Sequence, residues 1–159
     1  VVESALKPHA RSRSAATGLW QFMYTTGKIY DLNVTSYTDD RSDPLKSTIA
    51  ACEYFTFLYK MFNDWELVLA AYNGGPGYVS RAMAKYGVDN YWSLRPFLRR
   101  ETQNYVPKFI AVNYIMNYSS EHNIHTIFHI FMFFPIKISM IRQIITIFFH
   151  SFMFNINRL

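Results

Sequence analysis

The amino-acid sequence predicts an all-α protein, and three observations lead to that class. Apolar residues recur at helical spacing in the longer segments, most clearly between residues 45 and 62. Helix-start signals, in which Asp precedes an apolar run, stand before several of these segments. No alternating apolar and polar pattern long enough to indicate a strand occurs before residue 124. With 159 residues, half of them apolar, the chain is long enough for one domain with its own core.

The first quarter of the chain is predicted to contain short helical pieces joined by loops. Residues 1–6 are predicted to be the end of a helix, because Pro8 follows and disfavours helical geometry in the residue before it. Thr17 is expected to cap a short helix over residues 19–23. Residues 33–42 are polar and are predicted to form a loop. Longer helices are therefore expected only after this loop.

The longer helices begin with a strong start signal at Asp43-Pro44, because Asp is a favoured cap and Pro is favoured at the first helical position. Residues 45–62 are apolar on most faces, which predicts a central helix. Further helices are predicted over residues 65–72, 78–86 and 102–118, with a turn-rich connection over residues 91–99.

Composition excludes several classes of protein. The single cysteine, Cys52, excludes an internal disulfide framework and a cysteine zinc cluster, and its helical spacing predicts a small buried hydrophobe. The formal charge is +5, but Lys137, Arg142 and Arg158 lie beyond the last acidic residue, so the body carries only about +2. That charge, without a clustered patch, is too small to predict a nucleic-acid partner. It fits a neutral-to-acidic polymer only weakly.

The composition changes at residue 124, and residues 124–159 hold most of the Ile and Phe but no Gly, Ala or acidic residue. Pro135 and Lys137 are among the interruptions that leave no clean run of about 20 apolar residues. A membrane segment, an amphipathic interfacial helix and translation outside the native frame all stay open, and the last is favoured. His125 and His129 have no carboxylate partner nearby, so no metal site is predicted.

A lone carboxylate near the start, Glu3, is the candidate catalytic group. It lies in the apolar run of residues 1–6, near a predicted helix C-terminus. Burial and the negative end of a helix dipole both raise the pKa of a carboxyl, which is what a general acid needs near neutral pH. Taken alone, however, an ordinary surface glutamate is the simpler interpretation.

Five motifs taken together favour the catalytic interpretation. They are Glu3-Ser4, Ala10-Arg-Ser12, Gly18-Leu-Trp-Gln-Phe-Met23, Ala71-Tyr-Asn-Gly-Gly75 and Glu101-Thr-Gln-Asn-Tyr105-Val. In this order and spacing, about residues 1–120 resemble the soluble lytic transglycosylase (SLT) domain, a goose-lysozyme-like group that cleaves bacterial peptidoglycan. Within that family, the third motif and Asp40-Arg-Ser-Asp-Pro44 resemble the membrane-bound lytic murein transglycosylase D type.

The resemblance implies a lysozyme-like helical domain with a substrate cleft in residues 1–122, shortened at its start and followed by the atypical tail of residues 123–159. It also implies a role for each matching position. Glu3 matches the catalytic acid and base, and Tyr105 matches a tyrosine that points at the catalytic carboxyl. Ser12 matches a residue that contacts the sugar N-acetyl group or the oxygen on the reacting carbon, and Gln21 and Met23 match residues that line the cleft. Tyr72 and Asn73 match the glycan-binding pair, and Glu101 matches a buried carboxylate between the cleft helices.

The activity implied is cleavage of the MurNAc–GlcNAc β-1,4 bond with formation of 1,6-anhydro-MurNAc, without a metal or cofactor. The implied partner is the peptidoglycan glycan strand in the bacterial cell envelope, in the periplasm and with membrane association open; nothing implies an oligomeric state. Two alternatives stay open: a lysozyme-type hydrolase that uses Asp39 or Asp40 to position water, and an inactive peptidoglycan-binding module.

Three departures from the family pattern lead to further expectations. Ala15 stands where the family has Gly, at a turn expected to want a positive φ, and Tyr24 stands where it has Pro. Only two residues precede Glu3, so this acid is expected on a frayed helix end. Activity is therefore expected of the longer natural protein rather than of this chain.

Overall fold

A computed structural model describes residues 1–122 of the chain, and this part is helical. The helices are α1 (Tyr24–Ile29), α2 (Pro44–Phe62), α3 (Trp65–Gly74), α4 (Pro76–Tyr86), α5 (Tyr91–Leu94) and α6 (Arg100–Asn117), with 3-10 turns at Asp40–Ser42 and Arg95–Phe97. Pairing of extended backbone is limited, within these residues, to isolated bridges such as Thr17 with Phe22. The predicted all-α class is confirmed.

The α2 helix begins as predicted, but only part of its surface is buried. The Asp43 carboxylate accepts hydrogen bonds from the amides of Leu45 at 2.9 Å and Lys46 at 2.8 Å. These two N–H groups have no partner within the helix, so the cap satisfies them. The helix was predicted to be apolar and covered on most faces, but Ile49 is 44% exposed. The buried positions are mostly small ones, Ser47, Thr48, Ala50 and Ala51, together with Leu58. Small side chains allow close approach of a neighbouring helix, so the abundance of apolar residues overstated how much of α2 is covered.

The central helix of the described part is α3 rather than α2. Five consecutive residues, Leu67 to Ala71, are buried, and the helix packs against α2, α4 and α5. The Asp64 carboxylate caps it by accepting the Leu67 amide at 2.7 Å. The helix continues to Gly74, two residues beyond the predicted end, and Gly75 with φ of 94° separates it from α4. Asn73 therefore lies inside a rigid helix.

The two short helices predicted before residue 24 are wrong. Residues 1–6 form hydrogen-bonded turns, and residues 19–23 form a turn in which Gln21 has φ of 51°. The Thr17 hydroxyl donates to the Ala15 carbonyl at 3.2 Å instead of capping a helix. Gly18 is required here, because a Cβ at that position would lie 1.7 Å from the backbone oxygen of Arg41. A tertiary contact 23 residues away in sequence therefore determines this turn.

The chain divides into two compact units, Val1–Ile110 and Ala111–Leu159. In the described part of the second unit, the Tyr114 ring contacts Tyr118 with centroids 4.8 Å apart and His122 with centroids 5.5 Å apart. Residues 124–159 lie outside the described residues, so the interpretations given above for them stay predictions. No helix within residues 1–122 has the length and apolar character needed to cross a membrane.

Candidate active site

Glu3 is held in place on both sides of its turn. Its Oε1 accepts a hydrogen bond from the Tyr105 hydroxyl at 2.6 Å, across 102 residues of sequence. The next residue, Ser4, is 8% exposed, and its hydroxyl donates to the Leu19 carbonyl at 2.9 Å. The Ala5 amide closes the turn by donating to the Val1 carbonyl at 2.9 Å. The expectation that Glu3 lies on a frayed end is therefore wrong.

The surroundings of Glu3 favour its protonated form. Burial raises the pKa of Glu3 above its usual value of 4.5, and the negative charge of Glu101 raises it further. The Tyr105 hydrogen bond and the positive amino terminus act in the opposite direction and do not cancel the effect of burial. The predicted direction of the shift and one of its two predicted causes, burial, are thus confirmed, whereas the predicted helix dipole is absent because Glu3 lies in a turn. Such a carboxyl can hold a proton closer to neutral pH than a solvated glutamate.

Two tyrosines, the half-buried Tyr72 and the buried Tyr105, lie near the Glu3 carboxyl. Burial raises the pKa of both Tyr72 and Tyr105 well above 10.0, and the Glu3 charge raises both further. The Tyr72 hydroxyl is 2.8 Å from the Trp20 carbonyl and donates to it. The Tyr72 ring stacks on Phe55, with centroids 4.5 Å apart and planes 12° apart. Both phenols therefore stay neutral near Glu3, and only Tyr105 donates to its carboxylate.

The turn at residues 18–23 forms a rigid neighbour of Glu3. The Gln21 amide nitrogen donates to the carbonyls of Ala10 at 3.1 Å and Gly18 at 2.8 Å. The Trp20 indole nitrogen donates to the Thr48 hydroxyl at 2.9 Å, which fixes the turn to α2. Gln21 therefore braces the turn, while Met23, which caps α1 and is 44% exposed, is available to a ligand.

Ser12 lies in the neighbouring exposed loop, and its contacts remain inside that loop. Its hydroxyl oxygen accepts the Ala16 amide at 3.0 Å. Ala15, in the same loop, has φ of 61°, so the expected positive φ at this departure from the family pattern is confirmed. No contact joins Ser12 directly to Glu3 in the described structure, so its part in the site stays a prediction.

A buried arginine that the sequence analysis did not identify holds this loop in place. Arg41 is 5% exposed and forms an ion pair with Asp39, with Nη2 and Oδ2 2.7 Å apart. Its Nη1 donates to the carbonyls of Ala15 and Phe22, each at 3.2 Å. The planar guanidinium thus joins both ends of the segment that contains Gln21. The Asp-Arg-Ser-Asp-Pro motif was noted as a family signature, but nothing in its spacing indicated burial.

The buried contact between α3 and α6 is made by a threonine, and the predicted glutamate contacts α3 only from the surface. Glu101 is exposed, so its predicted burial is wrong, and its Oε1 is 3.5 Å from the Asn73 amide nitrogen. The next residue, Thr102, is 2% exposed, and its hydroxyl donates to the Asn73 Oδ1 at 2.9 Å. It also packs against Gly74, where a Cβ would lie 3.0 Å from the Thr102 hydroxyl oxygen. Adjacent helical residues face different directions, which explains why Thr102 occupies the inner position.

The two aspartates considered for positioning water in a hydrolase are held by basic side chains. Asp39 pairs with Arg41, whose hydrogen bond lowers the pKa of Asp39. Asp40 accepts from the Lys46 ammonium at 2.8 Å, and this bond lowers the pKa of Asp40. Both therefore stay ionised and engaged in their own loop. No group of His, Cys, Asp and Glu within residues 1–122 is arranged to hold a metal ion.

The structure thus assembles one group from four distant parts of the unit Val1–Ile110. Of the predicted residues, Tyr105 bonds directly to Glu3, and Tyr72 lies close enough for the Glu3 charge to raise its pKa. Tyr72 also bonds to the Trp20 carbonyl in the turn that contains Gln21. Asn73 lies one position after Tyr72 and bonds to Glu101 and Thr102. The arrangement provides one carboxyl that can give up and regain a proton, with amide and hydroxyl groups beside it.

Comparison with known proteins identifies the class to which this fold and site belong. Residues 1–94, more than half of the chain, match the family described as Transglycosylase SLT domain. The chain therefore belongs to the transglycosylase SLT domain family.

Individual relatives agree with this family. The membrane-bound lytic murein transglycosylase D of Escherichia coli strain K12 is 41% identical over 129 residues. The protein of the same name from Escherichia coli O6:H1 gives the same identity and length. Each match covers 78% of this chain and 28% of the relative, so the chain spans little more than a quarter of these proteins.

Proposed function

We propose that this chain is the catalytic part of a peptidoglycan lytic transglycosylase, a lyase that cleaves the MurNAc–GlcNAc β-1,4 bond and leaves a 1,6-anhydro-MurNAc end. The observation that carries the proposal is the geometry of Glu3, a half-buried carboxyl that accepts from Tyr105 at 2.6 Å and has a raised pKa. Membership of the family and the names of the relatives support the same reaction and the same substrate.

The reaction begins with Glu3 as an acid. Its proton passes to the glycosidic oxygen, and the bond between that oxygen and carbon 1 of MurNAc breaks. Most glycosidases use a second carboxylate to stabilise the positive centre that results or to activate water. Here Asp39 and Asp40 are held by Arg41 and Lys46, so the N-acetyl carbonyl of the substrate takes over the stabilising role.

The reaction ends with Glu3 as a base. Its carboxylate removes the proton from the 6-hydroxyl of the same MurNAc, and oxygen 6 forms a bond with carbon 1. The acid is thereby regenerated, and water is neither consumed nor released. A carboxyl that performs both steps needs a pKa near the working pH, which the burial of Glu3 favours.

The remaining predicted residues bind and position the sugar. In this proposal Ser12 contacts the N-acetyl group or the reacting oxygen, Met23 lines the cleft, and Asn73 binds the glycan. Gln21 and Tyr72 hold the Trp20 turn against Glu3 through the hydrogen bonds already described. Glu101 contributes from the surface, through its negative charge on Glu3 and its contact with Asn73.

We assign this activity to residues 1–122 and place the protein in the bacterial cell envelope. The names of the relatives, which contain the words membrane-bound and murein, support an envelope location with a membrane association. A periplasmic site of action follows from the substrate, because the glycan strands lie outside the cytoplasmic membrane.

Product mass tests the proposal. Purified peptidoglycan is incubated with the chain and with Glu3→Gln, and soluble products are analysed by mass spectrometry. We expect anhydro products one water lighter than hydrolysis products, and a loss of at least about 100-fold in the variant. Glu53→Gln, at an exposed position of α2, controls for the loss of one charge. Equal turnover by Glu3→Gln, or products of hydrolytic mass, would reject the assignment.

A further inference from the structure

Positive charge is concentrated in one part of the chain that the proposed reaction does not use. Residues 76–100 contain five basic residues and one acidic residue, Asp89. The basic residues are Arg81, Lys85, Arg95, Arg99 and Arg100. In residues 1–75, by contrast, seven basic residues face eight acidic ones. The net positive charge of the body therefore comes from α4 and the segment that leads into α6.

Three of these basic side chains share one surface. Tyr78, Arg81 and Lys85 follow one another at helical spacing on α4, so they lie on the same side of the helix. The Arg99 guanidinium lies over the Tyr78 ring, with its Cζ 4.6 Å from the ring centroid. The Arg99 amide also donates to the Tyr78 hydroxyl at 2.7 Å, which fixes this arrangement. Tyr78, Arg81, Lys85 and Arg99 are called the basic face below.

The charges of the basic face are not neutralised within the described residues. Arg81, Lys85 and Arg99 are exposed. The two ion pairs of residues 1–122 join Arg41 with Asp39 and Lys46 with Asp40, on other elements. The sequence analysis found no clustered patch because the three residues come from two separate segments. They are available to an anionic ligand.

The basic face is continuous with the glycan-binding end of α3. Gly74 has no side chain, and a Cβ there would lie 3.1 Å from the Tyr78 ring and 3.0 Å from the Thr102 hydroxyl oxygen. Thr102 in turn donates to Asn73, a residue assigned to the glycan. The Tyr78 ring that supports Arg99 therefore packs directly beside the residue that follows Asn73. A substituent on a sugar bound at Asn73 can reach the basic face.

We propose that the basic face binds the carboxylates of the peptide stems carried by the glycan strands. The inference rests on the proposed function, and it adds a second determinant of substrate choice beside the sugar. A stem peptide ends in a free carboxylate, and an arginine presents paired N–H groups that match carboxylate geometry. An anionic lipid surface carries the same sign of charge as a stem carboxylate. The continuity of the basic face with Asn73, however, favours a group attached to the glycan.

Binding measurements test the inference without turnover. All proteins carry Glu3→Gln so that the polymer stays intact, and sedimentation is measured with intact peptidoglycan and with glycan strands stripped of peptide by an amidase. Arg81→Gln with Arg99→Gln is expected to weaken binding to intact peptidoglycan about tenfold, since two charge-assisted contacts are lost. Binding to stripped strands is expected to stay unchanged. The difference between the two polymers should shrink in high salt.

A matched control pair separates this effect from a general effect of charge. Lys28→Gln with Lys60→Gln removes the same charge at exposed positions of α1 and α2. The inference would be overturned if the control pair lost as much binding to intact peptidoglycan, or if Arg81→Gln with Arg99→Gln lost as much binding to stripped strands. A preference for anionic phospholipid vesicles over intact peptidoglycan would also overturn it. The proposed function fails on a different observation: the chain with Glu3 intact would release no anhydro products.

Discussion

The Glu3 carboxyl shows which single-residue properties can be deduced from sequence and which cannot. Its apolar neighbours predicted a raised pKa, but only the five motifs together identified it as the catalytic acid. The hydrogen bond from Tyr105, across 102 residues, is a tertiary contact that local pattern could not supply. The burial of Glu101 was predicted from the family resemblance alone, and in the structure the adjacent Thr102 takes the inward position instead.

The raised pKa of Glu3 predicts a pH-dependent stability difference for Glu3→Gln. Below the usual pKa of 4.5 both proteins carry a neutral side chain, and their stabilities are expected to agree. As the pH rises through the folded pKa, the natural protein must ionise a half-buried carboxyl and loses stability that the glutamine variant keeps. Thermal unfolding should therefore show the variant as more stable at pH 7, by a few degrees. A gap of constant size at all pH values would contradict the assigned cause.

The left-handed backbone of Ala15 predicts that a glycine stabilises the protein. A Cβ at φ of 61° is strained, and Ala15→Gly removes it at a cost in chain entropy of the unfolded state. We expect a gain of about 1 kcal/mol in the free energy of unfolding, measured by urea denaturation. Ala84→Gly, in the regular helix α4, is the control and should lose about 1 kcal/mol. Destabilisation by both changes would argue against the positive φ.

At the scale of elements, long helices were predictable and short ones were not. The Asp43 and Asp64 caps are local signals, and both helices begin where they were predicted. Residues 19–23 were wrongly predicted to be helical, because their turn depends on the close approach of Gly18 to the Arg41 backbone. The buried face of α2 consists mostly of small residues, and hydrophobic periodicity does not identify such a face. Segments fixed by distant contacts are therefore the part that sequence patterns miss.

The buried Arg41 predicts a large effect on the loop that carries Gln21. Arg41→Met leaves the Asp39 carboxylate and the carbonyls of Ala15 and Phe22 without their donor. Loss of one partner of a buried ion pair costs about 3 kcal/mol, and we expect a loss of that order in urea denaturation. Lys46→Gln breaks the exposed ion pair to Asp40 and serves as the control, with little change expected. Similar small losses in both would show that Arg41 does not organise the loop.

At the scale of the molecule, family membership was predictable because five motifs recur in order, although none is specific alone. The family match covers residues 1–94, and the residues that complete the site, Thr102 and Tyr105, follow it in α6. The resemblance predicted the place of Tyr105 beside Glu3, whereas the buried contact of Thr102 with Asn73 is seen only in the structure. The structure supplies one partly buried acid at Glu3 and holds Asp39 and Asp40 in ion pairs within their own segment, which is why we favour a lyase over a hydrolase.

The most direct test of this account is the source of the oxygen at the new reducing end. Peptidoglycan is digested in water enriched in oxygen-18, and the MurNAc products are analysed by mass spectrometry. If Glu3 serves as both acid and base for the same sugar, oxygen 6 closes the ring and the released ends carry no label. One labelled oxygen in each released end would mean that water attacks carbon 1, and the lyase assignment would be wrong.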